Sequence, residues 1–143
     1  MAAAPGRGRP VPEPNPETQP FWDGCRRGEL LLQRCTSCHE VRFPPRPVCP
    51  ECLSRDHEWS ASSGQAILDS YVINHRPAPG FEPPYAVALV LLDEGPRMMS
   101  NIVDCPQTPE ALQLDMPLEV TFLQLTAEIH LPQFRPASTG EAT

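Results

Sequence analysis

Cys35-Thr36-Ser37-Cys38 and Cys49-Pro50-Glu51-Cys52 are two C-x-x-C pairs with ten residues between them. A C-x-x-C turn aims two thiolates at one point, and two such turns complete a tetrahedron around zinc. The intervening Arg42-Phe43-Pro44-Pro45-Arg46-Pro47 is proline-rich and turns one knuckle back towards the other. The gap is shorter than the usual four-cysteine spacing, which short ribbons tolerate. A redox C-x-x-C needs one motif opening a helix after a strand, not two in tandem among prolines. Disulfides are disfavoured as well, because residues 1–20 lack the apolar stretch of a secretory signal and thiols stay reduced in the cytoplasm, the expected location. The expectation is one structural zinc ion held by Cys35, Cys38, Cys49 and Cys52. Four thiolates close the coordination shell and outweigh the charge of the metal, which makes the ion a clamp rather than a reaction centre. His39 and His57 read as surface or packing residues. Cys25 and Cys105 have no partner at useful spacing and read as small buried hydrophobes.

Prolines and glycines divide the remainder. Six of the 20 prolines lie within residues 1–20, where each fixes φ and removes a backbone donor. Residues 1–15 are therefore expected as a disordered or extended tail, with a second short tail at 137–143. Pro16 to Gly28 reads as a short helix, with Phe21 and Trp22 on its docking face and Gly28 as its left-handed cap. The helix, a short strand over Leu30–Arg34 and the two knuckles make one unit, 16–59. Ser62-Ser63-Gly64 marks a boundary. Beyond it, over 60–136, five strand patterns follow: 67–74, 85–92, 97–103, 118–125 and 128–134. Tyr85 to Leu92 is so continuously apolar that burial on both faces is expected. Thr108-Pro109 carries helix-start signals between the third and fourth strands. Five strands with one short helix in that position fit the order of an OB-fold barrel. The predicted architecture is mainly β: an N-terminal helix, a zinc ribbon and a C-terminal five-stranded barrel.

Charge and motif content narrow the function. Residues 60–136 carry three arginines against nine acids, and the whole chain has 11 arginines and no lysine. Phosphate-backbone binding rests on a basic stripe and on stacking aromatics, so a zinc-ribbon OB-fold nucleic-acid binder stands only as the alternative reading. Without lysine, Schiff-base chemistry by this chain is excluded. There is no nucleophile elbow, phosphate-binding glycine loop or paired acid–base spacing. No apolar run approaches the roughly 20 residues of a membrane span.

The ordered series Phe21-Trp22-x-Gly24, Gly28-Glu29-Leu30, Gln33-Arg34-Cys35-x-x-Cys38, Arg42-Phe43-Pro44-Pro45-Arg46, Cys49-Pro50-x-Cys52, Glu58-Trp59, Pro79-Gly80-Phe81, Pro84-Tyr85, Asn101-Ile102-Val103 and Leu131-Pro132-x-Phe134-Arg135-Pro136 resembles the DUF35 family. The likeness covers residues 16–136. It departs at His39, where the family often has glycine, a residue that eases a left-handed turn. The resemblance implies N-terminal helices, a rubredoxin-like ribbon and an OB barrel. It also implies a non-catalytic subunit that completes the acyl-CoA site of a thiolase-like enzyme, including lipid-transfer-protein aldolases, or pairs with a MaoC-like hydratase. On that reading Arg34, Arg42 and Arg46 meet the phosphates of coenzyme A. Phe43 beside them, with Phe81 and Tyr85 on the barrel, lines the acyl or partner contact.

Overall fold

The computed structural model describes residues 8–137. Of the tails expected at 1–15 and 137–143, residues 1–7 and 138–143 lie outside the described residues. Residues 9–15 run without helix or strand. The chain then enters helix α1 (Gln19–Arg26) through a turn closed by reciprocal bonds between Asn15 and Thr18. Asn15 N–H donates to Thr18 Oγ1 and Thr18 N–H to Asn15 Oδ1, both at 2.9 Å. Pro20 at the helix start loses nothing, since the first amides of a helix are unpaired anyway. Gly28, at φ +82°, turns the chain out of the helix as the sequence predicts. Gly24 has a different task. A Cβ there would meet Leu31 Cγ at 2.7 Å and Glu29 O at 2.9 Å, so only glycine lets α1 approach the next strand this closely.

The first sheet has the order β2-β1-β3, with β1 (Leu31–Cys35) paired antiparallel to both β2 (Val41–Arg42) and β3 (His57–Ala61). It carries the knuckles on its loops. Ser62–Gly64 then leads into five strands: β4 (Gln65–Asn74), β5 (Tyr85–Leu92), β6 (Arg97–Ile102), β7 (Pro117–Gln124) and β8 (His130–Pro136). These close as β4-β5-β6-β8-β7, with β7 returning to β4 and a parallel contact at Ile102 and Phe134. This is the expected OB-fold connectivity, closed in strand order with a short seam between β6 and β8 at Ile102 and Phe134.

β5 is buried on alternate residues only: Ala86, Ala88, Val90 and Leu92 face the core, while Val87, Leu89 and Leu91 are half-buried outside. Its apolar continuity therefore does not reflect burial on both faces. A second difference lies at Thr108. Ala111 and Leu112 N–H bond back to Thr108 O at 3.1 and 3.0 Å, and the chain then turns away without extending the helix. The start signals are used, but Leu112 is drawn into the core and Asp115 turns at φ +67° to begin β7. Among the described residues α1 is the one helix, where the family resemblance implies more.

One continuous core serves both units. Leu68, Val90, Leu118 and Phe134, all 0% exposed, pack in a cluster that also contains Phe21, Cys25, Leu30 and Leu32 from α1 and the ribbon. At about 25 cal/mol per Å2 of apolar surface removed from water, this shared burial is the main term holding ribbon against barrel.

Candidate metal centre and contact surface

Each C-x-x-C closes a tight turn of the same kind. His39 N–H donates to Cys35 O and Leu53 N–H to Cys49 O, both at 2.9 Å. His39 and Leu53 occupy left-handed backbone, φ +69° and +68°. The strain expected at His39 is thus real and has a twin at Leu53. Ser37 Oγ donates to Ser54 Oγ at 3.1 Å, linking one knuckle to the other.

The four sulfurs lie within 4.8 Å of one another. Cys35 and Cys52 Sγ are 3.5 Å apart, Cys38 and Cys49 Sγ 3.6 Å. A tetrahedral ion with Zn–S bonds of about 2.3 Å needs sulfur separations of roughly 3.8 Å, so the donor set fits zinc in number, type and spacing. Backbone amides favour the thiolate at two of the four cysteines, Cys35 and Cys49, while Cys38 and Cys52 are shifted up beside their neighbouring sulfurs. The Cys38 amide, 3.4 Å from Cys35 Sγ, holds that thiol down at about 6, and the Cys52 amide lowers Cys49 in the same way. Cys35 and Cys49 are buried, Cys38 and Cys52 exposed. Neither His39 nor His57 belongs to the cluster.

Of the expected contact residues, Arg34 and Arg46 have exposed side chains. Arg42 does not. It is 5% exposed, and its Nε donates to Gln33 Oε1 at 2.8 Å and its Nη2 to Arg46 O at 3.1 Å. Arg46 N–H donates to the same Gln33 oxygen at 2.8 Å. Arg42 is therefore an internal brace of the proline-rich linker and is turned away from any surface ligand. Phe43 joins the helix aromatics: Phe21 lies edge-on to Trp22 at 5.0 Å and tilted against Phe43 at 5.4 Å. Phe21 is buried, while Trp22 and Phe43 keep partly exposed faces. On the barrel, Phe81 stacks on Tyr85 at 4.6 Å, and Tyr85 Oη accepts from Asn74 Nδ2 at 2.6 Å.

Two features escaped the sequence reading. Gln33, 1% exposed, organises the ribbon linker. Arg9, from the expected tail, lies over Phe81 with its guanidinium carbon 3.9 Å from the ring centroid. A glutamine inside the Gln33-Arg34-Cys35 series was a signal for the first. Nothing local marked the second.

Residues 22–58 match the family described as the ChsH2 rubredoxin-like zinc ribbon domain, and residues 59–123 the ChsH2 C-terminal OB-fold domain. The chain is 38% identical over 134 residues to a probable enoyl-CoA hydratase alpha subunit of Thermomonospora curvata, covering 93% of this chain but 41% of that protein. It thus spans about two fifths of the hydratase subunit. It is 35% identical over 106 residues to a DUF35 domain-containing scaffold protein of Methanothermobacter thermautotrophicus, covering 72% of this chain and 78% of the relative. Among solved structures it superposes on a chain of an Ltp2-ChsH2(DUF35) aldolase with TM-score 0.78 at 36% identity, covering 87% of this chain and 98% of that one. With a ribbon of four clustered cysteines joined to a closed five-stranded barrel, and both halves matched in order, the chain belongs to the ChsH2/DUF35 family.

Proposed function

We propose that this chain is a non-catalytic accessory subunit that docks on a thiolase-like enzyme of the lipid-transfer-protein type and completes its acyl-CoA site. The observation that carries this reading is the likeness to the DUF35 chain of an aldolase, which this chain matches over 98% of that chain's length. The scaffold name of the methanogen relative supports a structural role. The hydratase relative supports a second partner class, a MaoC-like enoyl-CoA hydratase.

The chemistry of the chain suits that division of labour. When bound, one zinc ion supplies a cross-link between two turns whose four donors leave no open position. The chain itself supplies surfaces. Phe81, in the β4–β5 loop, and Tyr85, at the start of β5, form an aromatic step with Arg9 over its Phe81 side. Trp22 and Phe43, each packed on Phe21, offer partly exposed aromatic faces beside the ribbon. Arg34 and Arg46 are the exposed cations there, suited to the phosphates of coenzyme A at a shared interface. Arg42 acts one step back, by shaping the linker that presents Phe43 and Arg46.

The test is co-expression with a thiolase-like enzyme encoded beside this chain, followed by size-exclusion chromatography. Co-elution in a fixed ratio, with activity of the partner raised only in the complex, is the expected result. Separate elution from such partners, or full activity of the enzyme alone, overturns the reading.

A further inference from the structure

Strands β4, β5 and β6 turn one face into the barrel core and the other outward. On β5 the outward residues are Tyr85, Val87, Leu89 and Leu91, alternating with the buried Ala86, Ala88, Val90 and Leu92. Directly paired residues share a face, so the register extends this one to both sides. Val72 and Asn101 flank Val87, and Ser70 and Met99 flank Leu89. Val72 is 64% exposed and Met99 68%, among the most open large apolar side chains of the described residues. The middle of the face holds no charged group. The first one reached, Arg97 opposite Leu91, is paired with Asp69 at 3.0 Å. An antiparallel sheet with a solvated face ordinarily sets polar residues there. On a chain of net charge −7, this uncharged apolar strip stands out.

Tyr85 joins the strip to the β4–β5 loop. It is the next outward residue after Val87, it pairs with Asn74, and Phe81 stacks on it at 4.6 Å. Size and charge say which occupant fits. Strands lie about 4.8 Å apart and like-facing residues about 6.8 Å apart, so the strip from Tyr85 to Met99 covers roughly 250–300 Å2 of sheet. Stable interfaces bury about 800 Å2 on each partner. Two copies laid strip to strip fall well short of that, and each brings a charge of −7 to the other. A larger partner, running on from Tyr85 to Phe81 and its loop, makes up the area.

We infer that the outward face of β4, β5 and β6 is where the thiolase-like enzyme docks, and that an apolar patch of the enzyme meets it. This rests on the docking reading above and adds where the contact lies and what kind of contact it is. Val72, Val87, Leu89 and Met99 form its centre. Arg34 and Arg46, in the ribbon unit, take no part in it.

The test is calorimetric titration of the thiolase-like enzyme with the full chain and its variants. Val72→Glu and Met99→Glu each put a carboxylate into the contact and are expected to weaken binding by about tenfold or more. Both positions are exposed in the free chain, so unchanged thermal midpoints are expected. Met99→Ala, which only removes apolar area, should weaken binding about fivefold and decides the matter should a glutamate variant misfold. Leu114→Glu makes the same charge change at another exposed apolar position and should bind as the native chain does. Raising salt from roughly 0.05 to 0.5 M should change the native affinity by less than about threefold. Native affinity in Val72→Glu and Met99→Glu overturns the assignment while the docking reading stands. Equal weakening by Leu114→Glu, or binding lost at high salt, overturns it in the same way, because the contact is then made by charges. A self-association that Met99→Glu dissolves gives the face to a second copy and overturns it too. A native chain that binds no such enzyme overturns the docking reading, and this assignment with it.

Discussion

Glu94, on the β5–β6 turn, holds Ser62 on the linker out of the ribbon: its carboxylate accepts Ser62 Oγ and Ser63 N–H, each at 2.8 Å. The covalent link between ribbon and barrel thus has a second, hydrogen-bonded one beside it. The joint ties the linker out of the ribbon to the β5–β6 turn of the barrel.

Replacing Glu94 by Ala removes both bonds and leaves the Ser63 amide to water. Hydrogen bonds to a charged acceptor contribute about 1.5–3 kcal/mol, and the site is partly exposed, so a loss of about 1–2 kcal/mol is expected. Urea unfolding with an unchanged m-value would report it. Glu94→Gln should recover part of the loss, since one amide oxygen still accepts. If Glu94→Ala unfolds at the same midpoint as the native chain, the joint is ornamental.

Gln33 and Arg42 give a contrast between neighbours. Gln33→Leu strips the acceptor from both Arg42 Nε and Arg46 N–H inside the ribbon. Arg42 keeps its bond to Arg46 O, but losing a buried hydrogen bond to a charged group together with a buried backbone one is expected to cost about 2–3 kcal/mol. Arg46→Ala touches only an exposed side chain, because the ribbon uses the Arg46 backbone, and should stay within about 0.5 kcal/mol. Thermal unfolding monitored by tryptophan fluorescence would rank the two. Equal effects would mean that Arg46 carries a structural load not visible in its contacts.

The metal acts on the ribbon before the barrel. One zinc per chain is expected by elemental analysis of protein purified without chelator. Cys38→Ser should lower that content severalfold, because a hydroxyl is a poor substitute for thiolate at zinc. Chelation should speed hydrogen exchange at the His39 and Leu53 amides, which close the knuckles. The β4–β5 amides, in the closed barrel, should stay protected. Barrel and knuckles exchanging together would show instead that the shared core makes them one cooperative unit.

Leu53 is 76% exposed and held at φ +68°. Left-handed backbone costs an L-residue about 1–2 kcal/mol, part of which glycine gives back in unfolded-state entropy. Leu53→Gly is therefore expected to stabilise the zinc-loaded protein by up to ~1 kcal/mol in guanidinium unfolding. His39→Gly should act in the same direction. Destabilisation by both would mean that these side chains make contacts worth more than the turn strain.

The metal centre was readable because its information is local: four cysteines at fixed spacing define the turns whatever surrounds them. The barrel order was readable from period-two patterns, which depend on each strand facing one core. What depends on pairing across the chain was not. Arg42 and Gln33 become partners only when β1 and β2 align them in register. Arg9 meets Gly80 across a separation of 71 residues, from a segment whose prolines rule out regular structure but not anchoring. At Thr108 the local signals are sound, yet Leu112 gains more from the core than a longer helix offers. The outward side chains of β5 look like core residues in one dimension because apolarity alone does not say which side is covered.

Cys25 gives the sharpest pH dependence. It is 0% exposed on the inner face of α1, and burial pushes its thiol up to about 12 from an ordinary value near 9.0. The neutral form is favoured in the folded state, so its contribution to stability is complete below the unfolded pKa. Above that point the unfolded chain releases the proton and the folded chain does not. Stability should then fall by about 1.4 kcal/mol per pH unit, levelling off only beyond the folded value. Cys25→Ala removes this term while costing about 1 kcal/mol of packing at neutral pH. The measurement is the difference in unfolding free energy between native and Cys25→Ala proteins at pH 8 and at pH 10.5, which cancels the titration of tyrosines and zinc ligands common to both. The gap should narrow with rising pH and reverse in sign. A gap that stays constant would mean that the thiol ionises as readily inside the helix as in the unfolded chain, and that the α1 contact with the barrel opens far more easily than its burial implies.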